Sequence, residues 1–307
     1  MADMAPGAIV VSTFPNAKAL PLWAETEHGL FARRGCDLRL HETGSSDEQR
    51  EALARGDVHI AQAALDNGVA MAVAGEDVVI VMGGETGMND FVVQADIGSF
   101  EDLRRRTLAV DSPFTAYALL ARRALAQNGL VYERDYAMKP VGNGARRLKA
   151  LLTDRTIAGA VLNPPFSAEA LMHGLKSLGR LNDMLGPYQA GGAYVMRSWA
   201  QANRASVVAY IQGYVDSLRW VRSAASTKAC ESMLARKLDL STELASATLS
   251  QLRDPSFGFS EDAALSEEGM KNLLATRAET EGGCGPDAAA VVDLSYYHEA
   301  MRTLSAS

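Results

Sequence analysis

The 307-residue chain predicts an α/β protein of two lobes joined by two crossings, with a helical C-terminal part. Three observations carry that expectation. Residues 8–82 contain three strand–turn–helix units in a row with short loops, the signature of a parallel sheet between helices. A second series of such units runs over residues 91–181. The two series echo each other: Glu51 to Ala61 (EALARGDVHIA) resembles Lys149 to Gly159 (KALLTDRTIAG), each a short helix, a tight turn and a strand with small residues. Crossings near 83–92 and 187–195 would assign 1–88 and 193–307 to one lobe and 89–192 to the other. Two crossings allow hinging about a cleft.

The elements follow in order. Residues 8–13 (AIVVST) are apolar and β-branched, a first strand. A Thr-Phe-Pro-Asn turn leads to a helix over 20–34, with Leu22, Trp23, Thr26, Leu30 and Phe31 near helical spacing and Gly35 as its stop. Residues 36–41 alternate as a strand. Thr43 to Ser46 is a turn that caps a helix over 48–55. Residues 58–65 form a third strand, Asp66-Asn67-Gly68 opens a helix to Ala74, and 77–82 form a fourth strand. Gly83 to Gly87 breaks the rhythm. After a short strand at 91–94, Ser99 with Asp102 reads as a capping box opening a helix. The stretch 108–162 reads strand, polar turn, helix, strand, Gly turn, helix, strand. A helix over 168–173, a strand over 178–181 and a crossing strand over 187–196 follow. Beyond Ser198 the pattern is helical, over 198–221, 227–237, 242–252, 266–278 and 293–304, with a loop at 282–286.

Charge and composition exclude several classes. Net charge is −7, which argues against nucleic acid or an anionic membrane as partner. Cys36, Cys230 and Cys284 have no disulfide or metal spacing. The histidines, His28, His41, His59, His173 and His298, make no ligand motif, so neither a metal nor a cofactor is called for. No run reaches the ~18 apolar residues of a membrane span. The start, MADMAPGAIVVS, has no basic n-region or h-region, so the sequence reads as cytoplasmic as written, or as periplasmic if an export signal has been removed.

In parallel α/β sheets ligands sit beyond the carboxyl ends of the strands. That rule selects Thr13, Phe14 and Asn16, then Ser45 and Ser46, then Asp66 and Asn67, as one facing set of loops. In the second series the strand-to-helix turns offer unpaired helix N–H groups. Ser112 and Thr115 add hydroxyls there, and Phe114 a ring that can stack on a planar ligand. Asn143 sits between two glycines, and Arg146 or Arg147, with Arg146 preferred, can meet a carboxylate or sulfonate bidentately. Asn163 closes a strand, and Tyr188, on the second crossing, can wall the cleft. Each position has a plainer reading: capping, turn formation, solvated charge or hinge packing. No nucleophile with a base, GxSxG, P-loop or GxGxxG occurs, and no catalytic residue is assigned.

Leu20-Pro21-Leu22-Trp23-Ala24 with His28-Gly29-Leu30-Phe31 and Gly35-Cys36-Asp37-Leu38 resembles the "plyvA…GfF…Gldv" opening of a known group. So do Leu53 to Ala61, with His59 at the usual Asp position, Leu103 to Val110, Asp111 to Tyr117, Gly129 to Tyr136, and Leu148 to Pro165. The group is the SsuA/TauA/THI5-like (NMT1-like) substrate-binding proteins of ABC transporters, and the resemblance covers roughly residues 8–225. It implies a type II periplasmic-binding-protein-like fold that captures a small organic anion or aromatic acid between its lobes for ABC-type import. It further implies a monomer that meets a permease if exported and does not insert in the membrane. The group also contains enzymes, so a cytoplasmic decarboxylase, desulfinase or pyrimidine-precursor enzyme on the same scaffold is the alternative. The iron motif of the pyrimidine synthases and the desulfinase cysteine after strand one are both absent.

Overall fold

A computed structural model describes residues 8–281 and 287–306. The N-terminal MADMAPG, the loop expected over 282–286 and Cys284 within it lie outside the described residues. Ten strands form two five-stranded sheets: β1 Ala8–Thr13, β2 Asp37–Glu42, β3 Ile60–Ala64, β4 Val78–Glu85, β5 Asp90–Val93, β6 Thr107–Val110, β7 Ala137–Pro140, β8 Ile157–Leu162, β9 Lys176–Arg180 and β10 Gly191–Met196.

The first sheet has the order β2-β1-β3-β10-β4 and the second β7-β6-β8-β5-β9. Neither is wholly parallel, which corrects the all-parallel expectation. β1 runs parallel to β2 and β3, but β10 pairs antiparallel with both β3 and β4. Likewise β6 is parallel to β7 and β8, while β5 is antiparallel to β8 and β9. The antiparallel strand in each sheet is the one that arrives from a crossing. The stretch 187–196 is therefore a crossing only to Ala190, after which β10 completes the first sheet.

Three other expectations need correction. The single helix expected over 20–34 is a helix at Leu20–His28 followed by a 3-10 turn at Ala32–Arg34. Gly29 takes the left-handed φ of 59° that ends the first helix. The Glu25 carboxylate accepts from the Phe31 and Ala32 N–H groups and redirects the chain so that Phe31 is buried. At Ser99, Asp102 does accept from the Gly98 and Ser99 N–H groups, both at 2.9 Å. Only a 3-10 turn, Glu101–Leu103, follows, because Arg104 is already extended towards β6. Finally, β4 runs straight through Gly83 and Gly84 to Glu85. A Cβ at Gly83 would overlap the Ala264 backbone, so the glycines there allow close packing rather than a break.

The first sheet packs against the C-terminal helices. Trp23, Phe31, Tyr210, Tyr214 and Leu218 share one core cluster, with helix Arg204–Arg222 as its spine. Apolar burial of this kind contributes about 25 cal/mol per Å² and is the main term holding the layers together. Helix Glu267–Glu281, in the C-terminal part, instead reaches helix Ala116–Gln127, beside the second sheet. Arg123 Nη1 donates to Thr276 Oγ1 at 2.8 Å, and Arg122 Nη2 to the Thr280 carbonyl at 2.6 Å. Among the described residues no helix is long and apolar enough to cross a membrane.

Candidate functional site

The carboxyl ends of β1, β3, β6 and β8 converge on one cavity of about 80 Å³ between the sheets. One water needs about 10–15 Å³ on that measure, so the space suits a solute of a few heavy atoms.

From the first sheet, Thr13, Phe14 and Asn16 reach the cavity because β1 ends there. The Asn16 carboxamide accepts from the Lys18 N–H at 2.9 Å, which holds the turn and brings Lys18 in. Ser46 opens helix Ser46–Arg55 at the cavity wall, and Asn67 Nδ2 donates to its Oγ at 3.2 Å. Asn67 is 1% exposed and its Oδ1 has no partner. Ser45 does not line the cavity. Its Oγ accepts from the Glu48 N–H at 3.2 Å and caps the helix.

From the second sheet, Asp111 follows β6, and Thr115 precedes helix Ala116–Gln127 at the wall. Asn143 caps helix Gly144–Thr153 by accepting from the Arg146 N–H at 3.2 Å. Gly144 must be glycine: a Cβ there would come within 2.7 Å of Phe166 Cε2. Asn163, just after β8, completes this wall. Both expected helix N-termini thus face the cavity.

Five more expected site residues stand elsewhere. The Ser112 carbonyl accepts from Thr115 Oγ1 at 2.8 Å and shapes the turn. Phe114 is 53% exposed with the Arg122 guanidinium 5.6 Å from its ring. Arg146 is exposed, and it is Arg147, 5% exposed, that lines the cavity. Asp66 is engaged by Arg277, whose Nε donates to Oδ1 at 2.9 Å and Nη2 to Oδ2 at 2.6 Å. Tyr188 is 1% exposed beside that pair, and burial pushes its phenol well above the usual range.

The site also holds charged residues that the sequence did not single out as a set. Lys18 Nζ donates to Glu85 Oε1 at 2.7 Å and to Tyr117 Oη at 3.0 Å. Burial alone lowers a lysine pKa, but Glu85 and Tyr117 outweigh it, and Lys18 lies above its ordinary value. Glu85 Oε2 accepts from the Gly87 N–H at 2.6 Å and the Met88 N–H at 3.3 Å. Arg147 Nη1 donates to the Gly142 carbonyl at 3.1 Å, while its Nε has no partner. Burial pulls its pKa below the arginine range, partly offset by Asp111 and Tyr117. Asp111 Oδ2 accepts from the Ser46 N–H at 3.2 Å. That bond and Lys18–Tyr117 both span the cleft. Phe259, from the C-terminal segment, also lines the cavity. Among the described residues no three His, Cys, Asp or Glu side chains gather to hold a metal ion.

Two mixed sheets, each completed by an antiparallel strand that arrives from a crossing, with a cavity between facing strand ends, make up the periplasmic binding protein fold. The chain belongs to the NMT1-like family, whose model matches residues 4–235. No curated protein sequence matches it. Among solved structures, a protein of Bordetella bronchiseptica RB50 superposes with a TM-score of 0.82 at 17% identity, covering 97% of this chain and 98% of that one. The periplasmic aliphatic sulphonate binding protein SsuA of Escherichia coli gives 0.74 at 17% identity, covering 93% and 92%. The periplasmic nitrate-binding protein NrtA of Synechocystis PCC 6803 gives 0.79 at 12% identity, covering 98% and 90%.

Proposed function

We propose that this chain is a solute-binding protein that closes on a small polar molecule between its two lobes and hands it, as a monomer, to an ABC-type permease on the periplasmic side. The observation that carries the reading is the cavity wall. Backbone and side-chain donors from both sheets face one small space, and Ser46–Asp111 and Lys18–Tyr117 bonds bridge it. A ligand touching both walls adds its contacts only when the lobes are together, so binding and closure are one equilibrium. The lobe bounds 1–88 with 193–307, and 89–192, belong to this proposal, as does a ligand role for Asn67, Thr115, Asn143 and Asn163.

The test is a thermal-shift screen of the whole chain over small carboxylates, sulfonates, amides and heterocycles, followed by calorimetry. A solute at 100 times its Kd adds about 2.7 kcal/mol and raises Tm by several degrees. Asn67→Ala and Thr115→Ala should each lower affinity. A compound that is bound and chemically converted, with product released, refutes the reading, and so does affinity unchanged in both variants.

A further inference from the structure

The cavity wall carries four charged side chains: Lys18, Glu85, Asp111 and Arg147. Their formal charges cancel. They also differ in how far the protein itself satisfies them. Lys18 is bound to Glu85 and Tyr117, and the second Glu85 oxygen to two backbone N–H groups. That leaves the pair one ammonium N–H of Lys18 for a ligand. Arg147 is different: 95% of its surface is buried, its Nε has no partner, and its guanidinium lies 5.8 Å from the Tyr117 ring centroid. Asp111 spends one oxygen on the Ser46 N–H, and no donor reaches its other oxygen among the described residues. Asn67 adds a buried acceptor, Oδ1, without a partner. Among the charged side chains, Lys18 and Arg147 thus keep spare donors and Asp111 one spare carboxylate oxygen, with Asn67 Oδ1 a neutral acceptor beside them.

We infer that the solute carries no net charge and pairs a hydrogen-bond acceptor, received by Arg147, with a donor, received by Asp111 or Asn67. The inference rests on the solute-binding reading and departs from the organic anion or aromatic acid expected from sequence. A net anion would bring one charge for which the balanced wall has no spare side-chain counter-ion, leaving only the N–H groups at the helix N-termini to offset it. Low effective dielectric makes that charge costly. A neutral amide and a zwitterion both satisfy the stated chemistry.

The test is a matched series of solutes sized for the cavity: propionate, propionamide, β-alanine and propylammonium, measured by calorimetry at low ionic strength on the full chain. Propionamide or β-alanine should bind at least tenfold tighter than propionate. Glu85→Gln keeps an acceptor for Lys18 but leaves the wall with a net positive charge. It should raise propionate affinity at least tenfold relative to β-alanine. Asp111→Asn serves as a second variant with the same expected direction. Propionate outranking both uncharged-overall solutes in the wild type, or an unchanged ratio in both variants, overturns the inference alone. If no member of the series binds the wild type or either variant, the inference and the solute-binding reading of this cavity fall together.

Discussion

Replacing Arg277 by Met tests how helix Glu267–Glu281 is tied to the rest of the molecule. Arg277 and Asp66 are 211 positions apart and meet bidentately, with side chains 5% and 1% exposed. A fork-to-carboxylate pair of this kind is specific in geometry, yet both ions have lost most of their hydration. Arg277 Nη2 also lies 3.4 Å from the Phe114 carbonyl, beyond β6, so the guanidinium touches both halves of the molecule. Methionine fills a similar volume but leaves the Asp66 carboxylate buried without its cation. Breaking such a pair from one side costs about 3–5 kcal/mol. Urea unfolding of wild type, Arg277→Met, Asp66→Leu and the double variant gives the full cycle. The single Met variant should lose about 3–5 kcal/mol, and the double variant should recover most of that, because an apolar pair needs no counter-charge. A loss below about 1 kcal/mol, or a double variant no better than the singles, refutes the claim that this pair is electrostatically buried.

Further outcomes can be measured on the same protein. Ser45→Ala should cost about 1 kcal/mol of stability through the lost helix cap while leaving solute affinity unchanged; a drop in affinity would restore Ser45 to the site. Gly213→Ala places a Cβ 2.6 Å from Phe31 Cδ1 in the core and should cost about 1–3 kcal/mol in chemical denaturation. Burial, with Glu25 and Asp37 beside it, pushes the Cys36 thiol up to about 12. The folded state thus holds a proton that the unfolded chain releases from about pH 8.5–9, so stability falls between there and pH 12, by at most about 1.4 kcal/mol per pH unit from this group. Cys36→Ala should flatten that part of the profile. In a Cys284→Ser background, a thiol reagent at pH 8 should label neither Cys36 nor Cys230 until the protein is unfolded, since both are buried.

The echo between 51–61 and 149–159 has a structural counterpart. Helix Ser46–Arg55 feeds β3 and helix Gly144–Thr153 feeds β8, and each strand stands third in its own sheet. Ser45 and Asn143 occupy equivalent cap positions, and that symmetry was legible because local patterns encode strand, cap and helix. The antiparallel strands were not legible, since direction within a sheet depends on where a crossing returns. Arg146 and Arg147 were both candidates, and the helical spacing around them carries the signal that decides between them. Gly144, Arg147, Leu148 and Leu151 are the buried residues of their helix, an i, i+3, i+4, i+7 series that puts Arg147, not Arg146, on the inward face. Glu85 was hidden because Gly83-Gly84 reads as the end of the fourth strand, whereas β4 runs on to Glu85. The Asp66–Arg277 pair and Phe259 left no local trace, because their partners come from the far end of the chain.

The place of β10 bears on synthesis and on dissection of the molecule. It is wedged between β3 and β4, over a hundred residues after either, so until Met196 has emerged those two strands present bare edges to each other. Unpaired edges are templates for intermolecular pairing, and closing so long a loop slows folding. A fragment ending near residue 190 should therefore aggregate even though it contains the whole second sheet. Supplying 191–306 as a separate chain should rescue it, because the missing piece is one strand with its attached helices rather than a domain.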